Sequence, residues 1–288
     1  MAIESLQALV QASENRDISD VIIESDCVDR GVTKAESFEK MRGLYAAIRR
    51  ARAGYDPKLR SASGMVGGDG AKMREYVQKG KTICGEYIGQ VIAQALEMGE
   101  SNACMKCIVA APTAGSCGVL PAVLLPYQAR EGLDDDAMVR AMYVAGAIGQ
   151  VVAAKASIAG AAGGCQAEIG TASAMGAAAL CYLGGGDAQA VCHAAAIAIK
   201  SMLGLVCDPI AGLVEVPCVK RNAAGAMIAM SSADMALAGI RSAVPPDEVI
   251  LAMREVGDKM DVSLKETGVG GVAGTPFGQK IAEKMGMA

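Results

Sequence analysis

From Cys165 to Leu183 the chain reads CQAEIGTASAMGAAALCYL. The run is long enough for a helix of several turns, holds no Pro, and is small or apolar on nearly every face. A helix apolar all round is buried all round. Behind it, Gly184-Gly185-Gly186-Asp187 could pass for a phosphate-binding loop. It lies between two helical segments with no strand before it, so it reads as a C-cap followed by an N-cap.

The same period continues outward in both directions. Helices are expected over about Ile3–Ala12, Ser19–Cys27, Lys34–Ala53, Ala71–Lys79, Tyr87–Gly99, Val119–Arg130 and Asp135–Ala153, then Cys165–Leu183, Asp187–Leu203, Cys218–Ile240, Pro246–Met260 and Phe277–Met285. Start signals support several of them: Thr33 before Lys34, Asp69-Gly70 before Ala71, Asp134 before Asp135, and Pro245-Pro246 followed by Asp247 and Glu248. No segment alternates convincingly as a strand, so the fold class expected is all-α.

Composition agrees. The chain is 52% hydrophobic but only 3% aromatic, with no Trp, two Phe and 17 Met. Its core must be Ala, Gly, aliphatic residues and Met, which suits closely packed helices. The first sixty residues are charged and amphipathic, an outer layer; between Ser101 and Ala243 charges thin out, marking the centre. No linker, charge block or repeat divides the chain, so residues 1–288 are expected to form a single domain. Lys and Arg number 27 against 31 Asp and Glu; with no basic tract interleaved with aromatics, nucleic acid is not an expected partner.

The longest uncharged stretch, Cys107 to Ala129, could span a bilayer by length. Pro112, Pro121 and Pro126, with Gly115 and Gly118, break it, and it reads as a buried loop followed by a buried helix. The opening MAIESLQALVQ has no basic-then-apolar signal pattern. A cytoplasmic protein with no membrane partner is expected. Its ten cysteines are then reduced thiols or ligands rather than a disulfide framework.

Cys104 and Cys107 form the one CxxC, with no second pair and no thioredoxin-like strand; at helical spacing they merely share a face. Cys165, after Gly163-Gly164, and Cys218, after Pro217, stand at helix starts, where the dipole should favour thiolate. Cys207 lies in Cys-Asp-Pro, on an irregular turn beyond a long apolar helix. Their spacing matches no compact ferredoxin pattern, and residue chemistry alone does not single them out as a trio. His193, the only histidine, sits in an apolar helix and reads as a core residue, leaving no His-rich metal site or Ser–His–Asp triad. Glycine-rich connections at 63–69, 112–116, 161–164 and 268–271 interrupt apolar sequence, and several lead into helix starts suited to an anion such as a substrate carboxylate.

Four segments, SGMVGGD (63–69), APTAGS (111–116), AAGGCQAE (161–168) and LGLVCDPIAGLVEVPCVKRN (203–222), closely resemble the iron–sulfur L-serine dehydratases. The match is to the alpha subunit of the two-subunit type, over nearly the whole chain. The resemblance implies that Cys165, Cys207 and Cys218 ligate a [4Fe–4S] cluster, with one iron left as a Lewis acid for the hydroxyl of L-serine. No pyridoxal phosphate is then required. It further implies a substrate pocket at Thr113, Ala114, Gly115 and Ser116, with Ser63, Gly64, Lys220 and Asn222 as additional candidates. A separate beta subunit is expected as partner within an oligomer, and the α-proton base, unassigned in this chain, is to be sought there. Some single-chain members end in a cysteine that reaches the cluster; this chain ends EKMGMA (283–288). Two rivals are an iron–sulfur L-cysteine desulfidase and a non-catalytic iron–sulfur subunit.

Overall fold

The structure, a computed structural model, describes residues 3–287. Its helices are α1 Leu6–Ala12, α2 Ile18–Arg30, α3 Lys34–Ala53, α4 Asp69–Gln78, α5 Gly85–Ala103, α6 Val119–Glu131 and α7 Asp135–Lys155. There follow α8 Gly160–Gly163, α9 Thr171–Leu183, α10 Ala188–Met202, α11 Cys218–Leu237, α12 Pro246–Lys259 and α13 Pro276–Lys284. Among the described residues there is no strand, only an isolated parallel bridge between Cys207 and Lys265. The expected all-α class holds, and the helices form a single domain.

The stretch that decides the fold occupies its centre. Helix α9 packs against α7, α10, α11 and α6, and its residues from Thr171 to Cys181 are all buried. Small residues let these axes close up. A Cβ on Gly176 would stand 3.1 Å from that of Ala229, and one on Gly225 would stand 2.8 Å from Ile169 Cγ2. The loss of side-chain area is offset by dispersion contacts along backbones at near-minimal separation. Helix α7 is apolar and long enough to cross a membrane by composition alone, but its most apolar window is 67% buried, mainly against α9 and α3.

Most predicted helix starts hold. Thr33 forms a capping box with Glu36, Asp134 accepts from Ala137 N at 2.8 Å, and Pro246 takes the first position of α12. The start of α4 differs. The helix begins at Asp69, and its free donors are met from α5: Glu100 Oε1 accepts from Asp69 N at 2.6 Å and Gly70 N at 3.3 Å. A remote carboxylate serves as the cap, which local sequence could not reveal. The uncharged stretch also divides differently. Residues 119–126 of α6 are buried save for a partly exposed Leu125, but the loop before it is largely exposed or half-exposed through residue 115, so only the helix is a core element.

Candidate functional site: three buried thiols and a carboxylate

The segment before α9 is not a simple helix start. Gly164, at φ +76°, turns the chain sharply, and a Cβ there would meet Met260 and stand 2.9 Å from Leu205 O. Glycine is required by both conformation and space. Cys165 follows, and then Gln166–Gly170 winds as a π-helical turn before α9 proper begins. Such turns re-aim side chains relative to the helix that continues them. Gln166 pins this one: its Nε2 donates to Met253 O at 2.9 Å, and its Oε1 accepts from Gly204 N at 2.9 Å.

Cys207 comes from the loop after α10. Its N–H donates to Leu264 O at 2.8 Å and its carbonyl accepts from Glu266 N at 2.7 Å, so residues 264–266 lie alongside it as a short parallel bridge. The next residue, Asp208, is held from two sides. Its Oδ2 accepts from Val272 N at 2.8 Å, while Oδ1 lies 2.9 Å from Arg221 Nη1. That nitrogen directs its hydrogen bond at Val206 O, 2.8 Å away, so Asp208 Oδ1 has a charge contact but no aligned hydrogen bond. The glycine-rich 268–271 segment thus clasps the loop that carries Cys207; a Cβ on Gly271 would collide with Asp208.

Cys218 opens α11, behind Pro217. All three thiols are buried, at 2%, 2% and 7% exposure for Cys165, Cys207 and Cys218, and all are free. They converge: charge on Cys165 or Cys218 opposes ionisation of Cys207. The expectation that helix starts would lower the pKa values of Cys165 and Cys218 is overturned. Burial pushes Cys165 up to about 11 and Cys218 to about 12, with Cys207 raised as well. Desolvation of a thiolate outweighs a dipole end, and the Arg221 guanidinium beside Cys165 only moderates the rise.

One carboxylate faces all three thiols. Charge on Glu168, in the π turn, raises the pKa of each. Its Oε1 accepts from Thr113 Oγ1 at 2.6 Å, and its Oε2 accepts a long contact from Cys207 Sγ at 3.8 Å. Burial raises its own pKa, opposed by the Thr113 hydrogen bond. Sequence reading assigned Glu168 no role. The available signal was that Glu168 is the only charged residue between Lys155 and Asp187.

Of the residues predicted for a substrate pocket, Thr113, Ala114, Gly115 and Ser116 lie beside this centre. Thr113 and Ser116 cap each other across a single 3-10 turn, with their hydroxyls 3.1 Å apart, and a Cβ on Gly115 would stand 3.2 Å from Glu168 Oε1. Asn222 ties the turn to α11: Nδ2 donates to Gly115 O at 2.8 Å and Cys218 O at 3.0 Å, and Oδ1 accepts from Gly118 N at 2.8 Å. Ser63 donates to Glu215, as does Ser61 at 2.6 Å, which docks the 61–66 turn and Gly64 onto the loop between Cys207 and Cys218. Lys220 points outward, 77% exposed and 3.6 Å from Asp69.

Other candidates lie elsewhere. Cys107 is exposed and Cys104 half-buried. His193 accepts from Ser242 N at 3.2 Å in a small pocket with Leu6 and Pro245, which none of the three thiols lines. A cleft of about 950 Å³ carries Arg49, Arg50, Arg52 and Arg74 but none of the predicted site residues. Among the described residues, no group of three or more His, Cys, Asp or Glu side chains has the geometry to hold a single metal ion.

Fold and site together define an all-helical protein with a buried three-thiol centre under a glycine-rich turn. The family described as the serine dehydratase alpha chain matches residues 10–273, and this chain belongs to that family. It is 45% identical to a probable L-serine dehydratase alpha chain of Bacillus subtilis, over 98% of this chain and 94% of that protein. An L-serine dehydratase alpha chain of Peptoniphilus asaccharolyticus is 50% identical over 75% of this chain and 74% of its own. An L-serine dehydratase of Streptomyces coelicolor is 39% identical over 86% of this chain, a match that covers 50% of that longer protein.

Proposed function

We propose that this chain is the catalytic alpha subunit of an L-serine dehydratase, a lyase that converts L-serine to pyruvate and ammonia, and that Cys165, Cys207 and Cys218 hold a [4Fe–4S] cluster. The observation that carries the reading is the gathering of three buried, unpaired thiols around Glu168, with Cys165 and Cys207 in one packed cluster and Cys218 tied to the Gly115 turn through Asn222, in a chain whose relatives carry this name over almost its entire length. The donor set fits the group. Three buried, unpaired thiols can each bind as thiolate once a metal centre's positive charge offsets the cost of deprotonating them away from water, and a multi-iron cluster spaces its thiolates more widely than one ion does.

When bound, a cluster with one iron free of protein ligand supplies a Lewis acid for the serine hydroxyl. The chain's own residues position the substrate. Ala114 and Gly115 open a helical turn and so have no intrahelical acceptor for their N–H groups; we assign the substrate carboxylate to them and to the Ser116 hydroxyl, while the Thr113 hydroxyl keeps its proton on Glu168 and holds that carboxylate beside the turn. Asn222 holds that turn at a set distance from Cys218. Loss of the α-proton and the hydroxyl yields aminoacrylate, which tautomerises and is hydrolysed to pyruvate and ammonia. His193, the only histidine of the chain, lines a pocket that none of the three thiols lines, and the α-proton acceptor is sought on a separate beta subunit. A cytoplasmic setting, where thiols stay reduced, fits ten free cysteines.

The test is anaerobic purification with iron and sulfide analysis, followed by assays with and without the beta subunit. Pyruvate from L-serine, dependent on iron, is expected. An active complex lacking iron would remove the cluster from the reading, and sulfide from L-cysteine with no turnover of L-serine would replace the substrate.

A further inference from the structure

Glu168 is an acidic side chain without a cationic partner among the described residues. It sits in the π-helical turn Gln166–Gly170, surrounded in sequence by buried residues. Its oxygens meet only the Thr113 hydroxyl at 2.6 Å and the Cys207 thiol at 3.8 Å. A half-buried carboxylate with one good hydrogen bond and no cation beside it is costly to retain. The backbone around it is nonetheless shaped to leave it room. A Cβ on Gly160 would stand 2.7 Å from Oε2, and one on Gly115 would stand 3.2 Å from Oε1.

Its place in the site supplies the missing counter-charge. On one side is the Thr113–Ser116 turn, assigned above to the substrate carboxylate; on the other is Cys207, at the thiol centre assigned to the substrate hydroxyl. In serine the ammonium group branches from the carbon between those two groups. We propose that Glu168 receives the α-ammonium of the substrate and thereby selects amino acids over hydroxy acids of the same shape. The inference rests on the functional reading above. A charge-assisted hydrogen bond from ammonium to carboxylate is strong in a partly desolvated site, and an analogue lacking the ammonium leaves Glu168 without a partner. Glu266 Oε2, within 3.2 Å of the same Gly160 Cβ position, adds negative potential from the exposed side.

The experiment uses the reconstituted alpha–beta holoenzyme and reads the cluster's visible and EPR spectra during titration with L-serine and, separately, with L-glycerate, in which a hydroxyl replaces the ammonium. If the wild type responds to neither compound and makes no pyruvate, the functional reading fails and takes this inference with it. Given a responding wild type, Glu168→Gln is expected to keep full iron, to raise the L-serine half-saturation about tenfold or more, and to leave L-glycerate unchanged or tighter. Glu168→Asp, which keeps the charge, should recover part of the L-serine response. Three results overturn the proposal: unchanged L-serine binding in Glu168→Gln, equal weakening of both ligands, or loss of iron. Equal weakening would mark a positioning role, which Thr113→Val should then reproduce; iron loss would mark a cluster-holding role.

Discussion

Gly160 and Cys207 approach so closely that a Cβ on the glycine would lie 2.8 Å from the thiol sulfur, as well as 2.7 Å from Glu168 Oε2. The short helix α8 is therefore a wall of the thiol centre, and it must be bare there. Gly160→Ala should displace Cys207 or Glu168 while leaving the helical bundle intact. The expected outcome is a marked loss of bound iron with unchanged far-ultraviolet circular dichroism and a stability cost of about 1–3 kcal/mol. Retention of full iron would show that the wall yields.

The three thiols of the centre and the CxxC pair differ in burial and in neighbours. Cys165→Ser, Cys207→Ser and Cys218→Ser should each lower iron and sulfide per chain, because each removes one of three converging thiols. Cys104→Ala and Cys107→Ala should not, since Cys107 is exposed and Cys104 half-buried. Metal analysis of the five anaerobically purified variants decides between the groups.

Asn222 joins three backbone groups of two separate elements through one side chain. Asn222→Ala leaves the buried Gly118 N–H and the half-exposed Gly115 O without that partner. A loss of about 2–3 kcal/mol is expected, read as a lower urea midpoint. Activity should fall further than stability, because the Thr113–Ser116 turn loses its tie to Cys218.

The outer layer carries an acid-sensitive contact. The Asp20 carboxyl is held below its ordinary 3.8, first by a hydrogen bond from Lys34 and then by Arg140. A depressed folded-state value means that the stabilisation is complete above the unfolded pKa and fades as pH falls through the folded one. Asp20→Asn should thus be less stable than the wild type at pH 7, with the difference closing as pH falls below 3.8 and through the lowered folded-state value. Thermal midpoints across that range give the test, and a pH-independent difference would contradict it.

The helices were legible because their signal is local and repeated. Lys34–Ala53 was read with both ends correct, since Thr33 and Glu36 form a capping box within four residues of sequence. The start of α4 was misplaced because its cap is Glu100, supplied from another helix. The site was legible only in part. Cys165, Cys207 and Cys218 are legible through motif resemblance, but the lowered pKa expected of Cys165 and Cys218 is not found, since burial is a property of packing and the helix dipole is a property of the segment.

What the sequence by itself determined is therefore the all-helical class, the buried centre from Cys165 to Leu183, and the segments that carry the chemistry. Hydrophobic period and glycine placement act over a few residues, so one strand of text contains them. Only the tertiary structure decided that Glu168 stands between Thr113 and Cys207, that residues 264–272 clasp the Cys207 loop, and that Asn222 locks the Thr113–Ser116 turn to α11. Those relations join residues far apart in the chain. They exist only once α9, α10 and α11 have packed at the close spacing that their small side chains permit.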